Sequence, residues 1–254
     1  MFPIQDGVAR RYPSAVTWAL IALNTVVFLY QVSLPPPALE RFLLTFALVP
    51  ARYFGDFADV APAQTMLDYL PFVSNMFLHG GWLHLILNMW TLWIFGPAVE
   101  DRFGPARFLA FYLAVGIAAS LAHAGINAGS SVPALGASGA ISGVIGCYVR
   151  LFPLARLVIM IPVLFLPFFF EVPAFVFAAI WLSAQVVPGV ADLVMPRDGG
   201  GIAWWAHIGG FVTGWVLAPI VMRSVRRYRR YYADEGRYGF LPNGRRSGES
   251  SPWA

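Results

Sequence analysis

Four side chains in this sequence sit in surroundings that do not suit them. His84 and Asn88 lie in one apolar stretch, Ser138 opens another, and His207 lies in a third. Ionisable and strongly polar groups are costly in lipid, which makes each a functional candidate. Serine and histidine together permit acyl transfer. Serine is a poor nucleophile until a base takes its proton, and a neutral imidazole near pH 7 suits that task. His207 is the candidate base for Ser138. A tetrahedral intermediate then needs hydrogen-bond donors aimed at its oxyanion, which Asn88, His84 and the backbone N–H of Ser138 can supply. No carboxylate lies at this depth. The pattern is a Ser–His dyad with imidazole orientation left to packing, a variant of triad logic recognised by roles.

Counting back from charges that mark one membrane boundary places the four at similar depth. Ser138 precedes Arg150 by 12 residues and Asn88 precedes Glu100 by 12. At about 1.5 Å per helical residue both stand about 18 Å above that boundary, roughly 10 Å below the opposite surface of a hydrocarbon core about 30 Å thick. His207 precedes Arg223 by 16 residues and His84 precedes Glu100 by 16. That puts both about 24 Å up, one turn nearer the outside. His84 and Asn88, four residues apart, share a helix face.

Other residues compete for these roles. Ser142, one turn from Ser138 on the same face, is the rival nucleophile, but it lacks the helix-start position and reads as packing. His79 and His123 lie near helix ends and read as interface or loop hydrogen-bonding groups. A zinc site built from the four histidines lacks the HExxH spacing and an acidic partner at depth, so no metal is expected. Gly210 and Gly214 form a small-xxx-small pattern after His207, and Gly136-Ala137-Ser138-Gly139-Ala140 is similarly small. The fourth and sixth stretches are therefore expected to touch and bring Ser138 to His207.

The elements that hold these groups are membrane helices. Hydrophobic residues make up 58% of the chain and charged ones only 12%, against about 25% charged in an ordinary soluble domain. Six stretches approach spanning length: Ala15 to Val32, Gly81 to Val99, Arg107 to Gly125, Ser138 to Leu151, Val172 to Val187 and Trp204 to Met222. The expected fold is an all-α membrane protein, a six-transmembrane-helix bundle with a short fourth helix. Residues 1–14 form a cytoplasmic N-terminus, 15–222 the membrane domain, and 223–254 an Arg-rich, disordered cytoplasmic tail. The apolar run from Leu157, broken by Pro162, Pro167 and Pro173, reads as an interfacial connector to Phe170 followed by a helix opening at Glu171.

Six spans put both Arg-rich ends on one side. Arg10, Arg11, Arg102, Arg107, Arg150, Arg156 and the tail are then inside, and Arg41, Arg52 and Arg197 outside. The first outer loop carries Leu39, Phe42, Leu43, Phe46 and Val49 at helical spacing, as in an interfacial helix. The net charge of +4 comes from arginines at helix ends, which favours anionic lipid over nucleic acid as the partner. Cys147 stands alone and permits no disulfide. The first apolar stretch is too long for a signal core and reads as a retained anchor. Short extramembrane parts and arginine in place of lysine fit a bacterial inner membrane, with both termini cytoplasmic; an organelle membrane is the alternative.

With these residues in view, the chain resembles the rhomboid family of intramembrane serine proteases over most of residues 15–222. The stretch His79-Gly80-Gly81-Trp82-Leu83-His84 continuing to Asn88 resembles the family's second-helix signature. Gly136-Ala137-Ser138-Gly139 resembles its nucleophile motif, and Ala206-His207 with Gly210 and Gly214 its sixth-helix motif. Glu100 and Arg102 before Gly104 resemble the exit of its second helix.

The resemblance implies a nucleophile at Ser138, a base at His207 and oxyanion donors at His84 and Asn88. It implies cleavage of transmembrane protein substrates near the outer ends of their helices, at small residues and unstable helix, with no cofactor. The Gly199-Gly200-Gly201 loop would belong to a movable cap. Two features depart from the pattern. Some members stack an aromatic ring on the imidazole from the position of Ser142, and some carry a Trp-Arg pair where this chain has Leu70 and Pro71. The runner-up function is a catalytically silent client-binding relative, against which intact Ser138 and His207 argue. A transporter would need polar residues in the inner half or repeated halves, and neither is seen.

Overall fold

The computed structural model describes residues 2–54, 63–164, 166–194 and 202–223. Its helices are α1 (Ala15–Ser33), α2 (Pro36–Phe46), α3 (Pro71–Ser74), α4 (Trp82–Phe103), α5 (Pro105–Ile126), α6 (Ser138–Leu151), α7 (Ala174–Val194) and α8 (Trp204–Arg223). Five of them, α1, α4, α5, α7 and α8, are long and apolar enough to cross a membrane, and α6 is a shorter apolar helix. The helical bundle expected from the sequence is the one observed.

Burial is distributed as lipid dictates. Trp18, Leu23, Val26 and Leu29 on α1, Phe175, Ile180 and Val187 on α7, and Val212, Trp215 and Ile220 on α8 face outward. A helix exposed on one side to hydrocarbon needs no polar face. By contrast α6 is buried from Gly139 through Val149, the pattern of a central helix enclosed by neighbours. At 14 residues it is about 21 Å long, short of a core about 30 Å thick. By itself it is too short to span that core.

The non-helical chain leading into α6 is hydrogen-bonded to the connection between α1 and α4. Leu48 and Ala134 exchange hydrogen bonds of 2.9 and 2.7 Å, and Ala51 N–H donates to the Ser130 carbonyl at 3.0 Å. Irregular backbone at membrane depth is tolerated only when buried in protein in this way. The helix expected in that connection is α2.

The opposite end of the bundle gathers the arginines. Gly104 takes φ +77°, closing α4 through its N–H to the Glu100 carbonyl, and Pro105 opens α5. The Glu100 side chain, used above as a boundary marker, is buried. It accepts from the N–H groups of Val16 and Thr17, both at 2.8 Å, and from the Thr17 hydroxyl at 2.7 Å. The α4 carboxylate thus caps the N-terminus of α1, satisfying donors that a helix start leaves unpaired. Asp101 accepts from Arg11 and Tyr12 N–H beside it.

A three-stranded antiparallel sheet lies at this same end: β1 (Phe2–Asp6), β2 (Arg156–Val163) and β3 (Leu166–Pro173), in that order. The expected connector from Leu157 to Phe170 is therefore a β-hairpin, and the helix after it opens at Ala174, not Glu171. The β-branched and aromatic residues of this run favour strands. Its prolines stand where they cost the ladder least, with Pro162 opposite Pro167 near the turn and Pro173 at the last strand residue. Glu171 pairs across the hairpin with Arg156 at 2.8 Å. Because β1 pairs with β2, the N-terminus and the α6–α7 connection share one end, as even parity requires.

Candidate active site

Close contact between α6 and α8 positions the site. A Cβ on Gly214 would lie 2.0 Å from the Gly143 carbonyl oxygen, one on Gly210 2.1 Å from that of Gly139, and one on Gly146 2.2 Å from that of Phe211. Only glycine admits this approach of backbone to backbone. The expected contact between the fourth and sixth spans is present. On the other flank of α6, a Cβ on Gly139 would lie 2.8 Å from that of Ala119 on α5.

This packing sets the first residue of α6 opposite the first turn of α8. The Ser138 hydroxyl and His207 Nε2 stand 2.8 Å apart, a full hydrogen bond. His207 Nδ1 stands 2.7 Å from Oε1 of Gln185 on α7, and Gln185 Nε2 donates to the Trp181 carbonyl at 3.1 Å. The rings of Trp181 and Trp204 flank the imidazole, with centroids 6.1 and 6.4 Å away. The orientation assigned above to packing thus includes a specific polar partner, which reading the sequence missed. Gln185 was an unremarked amide near the predicted end of an apolar span.

Ser142 is not free to act as nucleophile. Its hydroxyl is buried and donates to the Ser138 carbonyl at 2.6 Å, the back-bonding common for serine within helices.

The oxyanion candidates surround Ser138. Ile141 N–H bonds back to Ala137, and the Ser138 N–H, at the positive end of the helix, donates to no other described residue. Gly136, at φ +130°, draws the backbone against the His84 ring: a Cβ there would lie 2.8 Å from His84 Nε2 and 3.6 Å from the Ser138 hydroxyl. His84 Nδ1 faces the Gly80 N–H at 3.4 Å, which leaves its proton on Nε2. Asn88 is buried, and its Nδ2 donates to no other described residue. An unspent buried amide donor is expensive unless it has a use.

The remaining histidines have other work. His79 is buried against Phe28 and His84, its backbone exchanging hydrogen bonds with Gln31. Burial, assisted by neighbouring His84, holds its pKa down at about 3. His123 contacts Asn127 at the end of α5 and also lines a small cavity beside Ser138. That cavity is walled mainly by Gly116, Ala119, Gly139, Ala140, Ala203 and Ala206, with Asn75 and Ser120 at its polar side. Leu70 and Pro71 sit at the start of α3. Gly199 to Gly201 and the tail beyond Arg223 lie outside the described residues.

The sequence model of the rhomboid domain matches residues 67–224. The chain belongs to the rhomboid family. Rhomboid protein 1, mitochondrial, of Saccharomyces cerevisiae is 27% identical over 226 residues, covering 87% of this chain and 57% of that protein. Human presenilin-associated rhomboid-like protein, mitochondrial, is 33% identical over 153 residues, covering 59% and 35%. Rhomboid-like protease 5 of Toxoplasma gondii is 33% identical over 163 residues, covering 62% and 17%. The chain thus spans little more than half of the yeast relative and less of the other two. It is an integral, multi-pass membrane protein of a family of membrane proteases.

Proposed function

We propose that this chain is an intramembrane serine endopeptidase that cuts transmembrane proteins near the outer face of the bilayer. The observation that carries the reading is the 2.8 Å hydrogen bond between Ser138 and His207 Nε2, made at the first residue of the short apolar helix α6. His207 Nε2 takes the hydroxyl proton as Ser138 Oγ attacks the scissile carbonyl carbon. Negative charge develops on the carbonyl oxygen, where the Ser138 N–H, His84 Nε2–H and Asn88 Nδ2 act as donors. On collapse the C–N bond breaks, and the imidazolium returns its proton to the departing amine. Water, deprotonated by His207, then releases the acyl group from Ser138.

Substrate must present an extended backbone at this depth, so helical segments that unwind readily are favoured. The glycine- and alanine-walled cavity beside Ser138 suits a small side chain next to the cut bond. The arginines gathered at the opposite end of the bundle support an orientation with both termini inside. Arginine in place of lysine suits a bacterial inner membrane, and the yeast and human relatives, which are named mitochondrial, make an organelle membrane the alternative.

The test is cleavage of a single-span reporter in proteoliposomes. Wild type should release a fragment cut near the outer end of the span, at a small residue, and Ser138→Ala should release none. A reporter bound but never cut by wild type would favour the silent client-binding alternative.

A further inference from the structure

Gln185 touches the catalytic imidazole, yet neither the family resemblance nor the proposed chemistry gives it a task. It is buried on α7, in a span otherwise suited to lipid. Its amide is oriented by its own helix. With Nε2 donating to the Trp181 carbonyl at 3.1 Å, Oε1 is the atom turned toward His207, at 2.7 Å from Nδ1. An amide oxygen only accepts, so Nδ1 must carry the proton. The other ring nitrogen, Nε2, is then bare and accepts from Ser138 at 2.8 Å. Gly189, one turn along α7, admits the close approach to α8 that this requires, since a Cβ there would lie 3.2 Å from that of Trp204.

We infer that Gln185 is a positioning residue that fixes the reactive tautomer of His207, so that the site works as a Ser138–His207–Gln185 relay with a neutral third member. This rests on the hydrolytic reading above. Free imidazole favours the opposite tautomer, with the proton on Nε2, in which His207 would donate to Ser138 and be useless as its base. A carboxylate does this task in the aqueous triads, but an unpaired carboxylate at this depth would carry a heavy desolvation penalty. A neutral amide selects the tautomer without adding charge. His84 and His123 are titratable groups that interact with the imidazole from other helices, but the hydrogen-bond partner at Nδ1 is Gln185.

The discriminating substitutions are Gln185→Met and Gln185→Glu. Methionine keeps the length and suits lipid, yet it removes the acceptor. Glutamate keeps an oxygen at the same place and is the worse residue for an apolar span. If Gln185 positions His207, Gln185→Met lowers the rate of fluorophosphonate labelling at Ser138 by about 10- to 100-fold with little change in melting. Gln185→Glu then labels faster than Gln185→Met despite a lower melting temperature. A merely structural glutamine gives the reverse order.

Nitrogen-15 spectra of labelled histidine supply a second reading that does not depend on turnover. Wild-type His207 should show protonated Nδ1 and bare Nε2, and Gln185→Met should shift toward the other tautomer. Labelling of Gln185→Met at the wild-type rate, or an unchanged tautomer, would overturn the inference. Failure of wild type itself to label would count against the hydrolytic reading, while the spectra would still decide the role of Gln185.

Discussion

Replacing Gly210 with alanine should disable the site without touching any group that takes part in the chemistry. The added Cβ would lie 2.1 Å from the Gly139 carbonyl oxygen and 3.4 Å from the Ala119 Cβ. The second contact is ordinary, but the first is not, and backbone cannot rotate away as a side chain does. Helices α6 and α8 must therefore part by roughly 1 Å at this level. Gly139 adjoins Ser138, and Gly210 lies one turn after His207, so the gap opens at the dyad itself. The 2.8 Å hydrogen bond would lengthen toward about 4 Å, beyond hydrogen-bonding reach. Misplacement of reacting groups by about 1 Å costs on the order of 100-fold in rate, and overpacking costs about 1–3 kcal/mol of stability.

The assay is the rate of fluorophosphonate labelling beside thermal melting in detergent, with Gly125→Ala as control. Gly125 lies in α5 with nothing within 4 Å of a Cβ. Its replacement should leave labelling unchanged and melting equal or slightly higher. If Gly210→Ala labels at the wild-type rate, the claim that glycine-mediated helix contact sets the dyad is wrong.

Three further predictions follow from single contacts. Glu100→Ala leaves the Val16 and Thr17 donors unpaired, so it should cost about 2–3 kcal/mol, read as a lower melting temperature. Ser142→Ala removes only a back-bond and should label within about threefold of wild type; loss of labelling would revive Ser142 as nucleophile. His79 is held neutral, at about 3 against an ordinary 6.5. Below the ordinary value the unfolded chain binds more protons, so stability should be complete above about pH 6.5 and fall as the pH drops toward 3. His79→Leu should flatten the melting profile between about pH 6.5 and 4.

What the sequence disclosed and what it hid divide along physical lines. Ser138, His207, His84 and Asn88 were visible because each is polar in an apolar stretch, and counting helical rise from flanking charges set them at one level. The glycines of α6 and α8 announced a close contact because small residues at spacing four on a lipid-facing helix have few other uses. Gln185 was hidden because, unlike Asn88, it has no histidine four residues away on its own helix face; an amide four residues after Trp181 carries no pattern that separates ligand from helix glue.

Glu100 was legible as a charge at a helix end, but its true partners lie 84 and 83 residues away on α1, and such pairings have no local signature. The β2–β3 hairpin was masked by composition. Strand recognition relies on alternation of apolar and polar residues, and Leu157–Phe170 is apolar almost throughout, so period two was invisible. Only the two prolines facing each other near the turn hinted at it.

The most direct test of the account is fluorophosphonate labelling of the purified full-length protein in wild type, Ser138→Ala and His207→Ala. The account predicts that wild type labels at Ser138 and that both variants lose labelling while melting as folded proteins. A folded wild type that never labels, alongside a reactive control protease, or labelling that survives in Ser138→Ala, would contradict it.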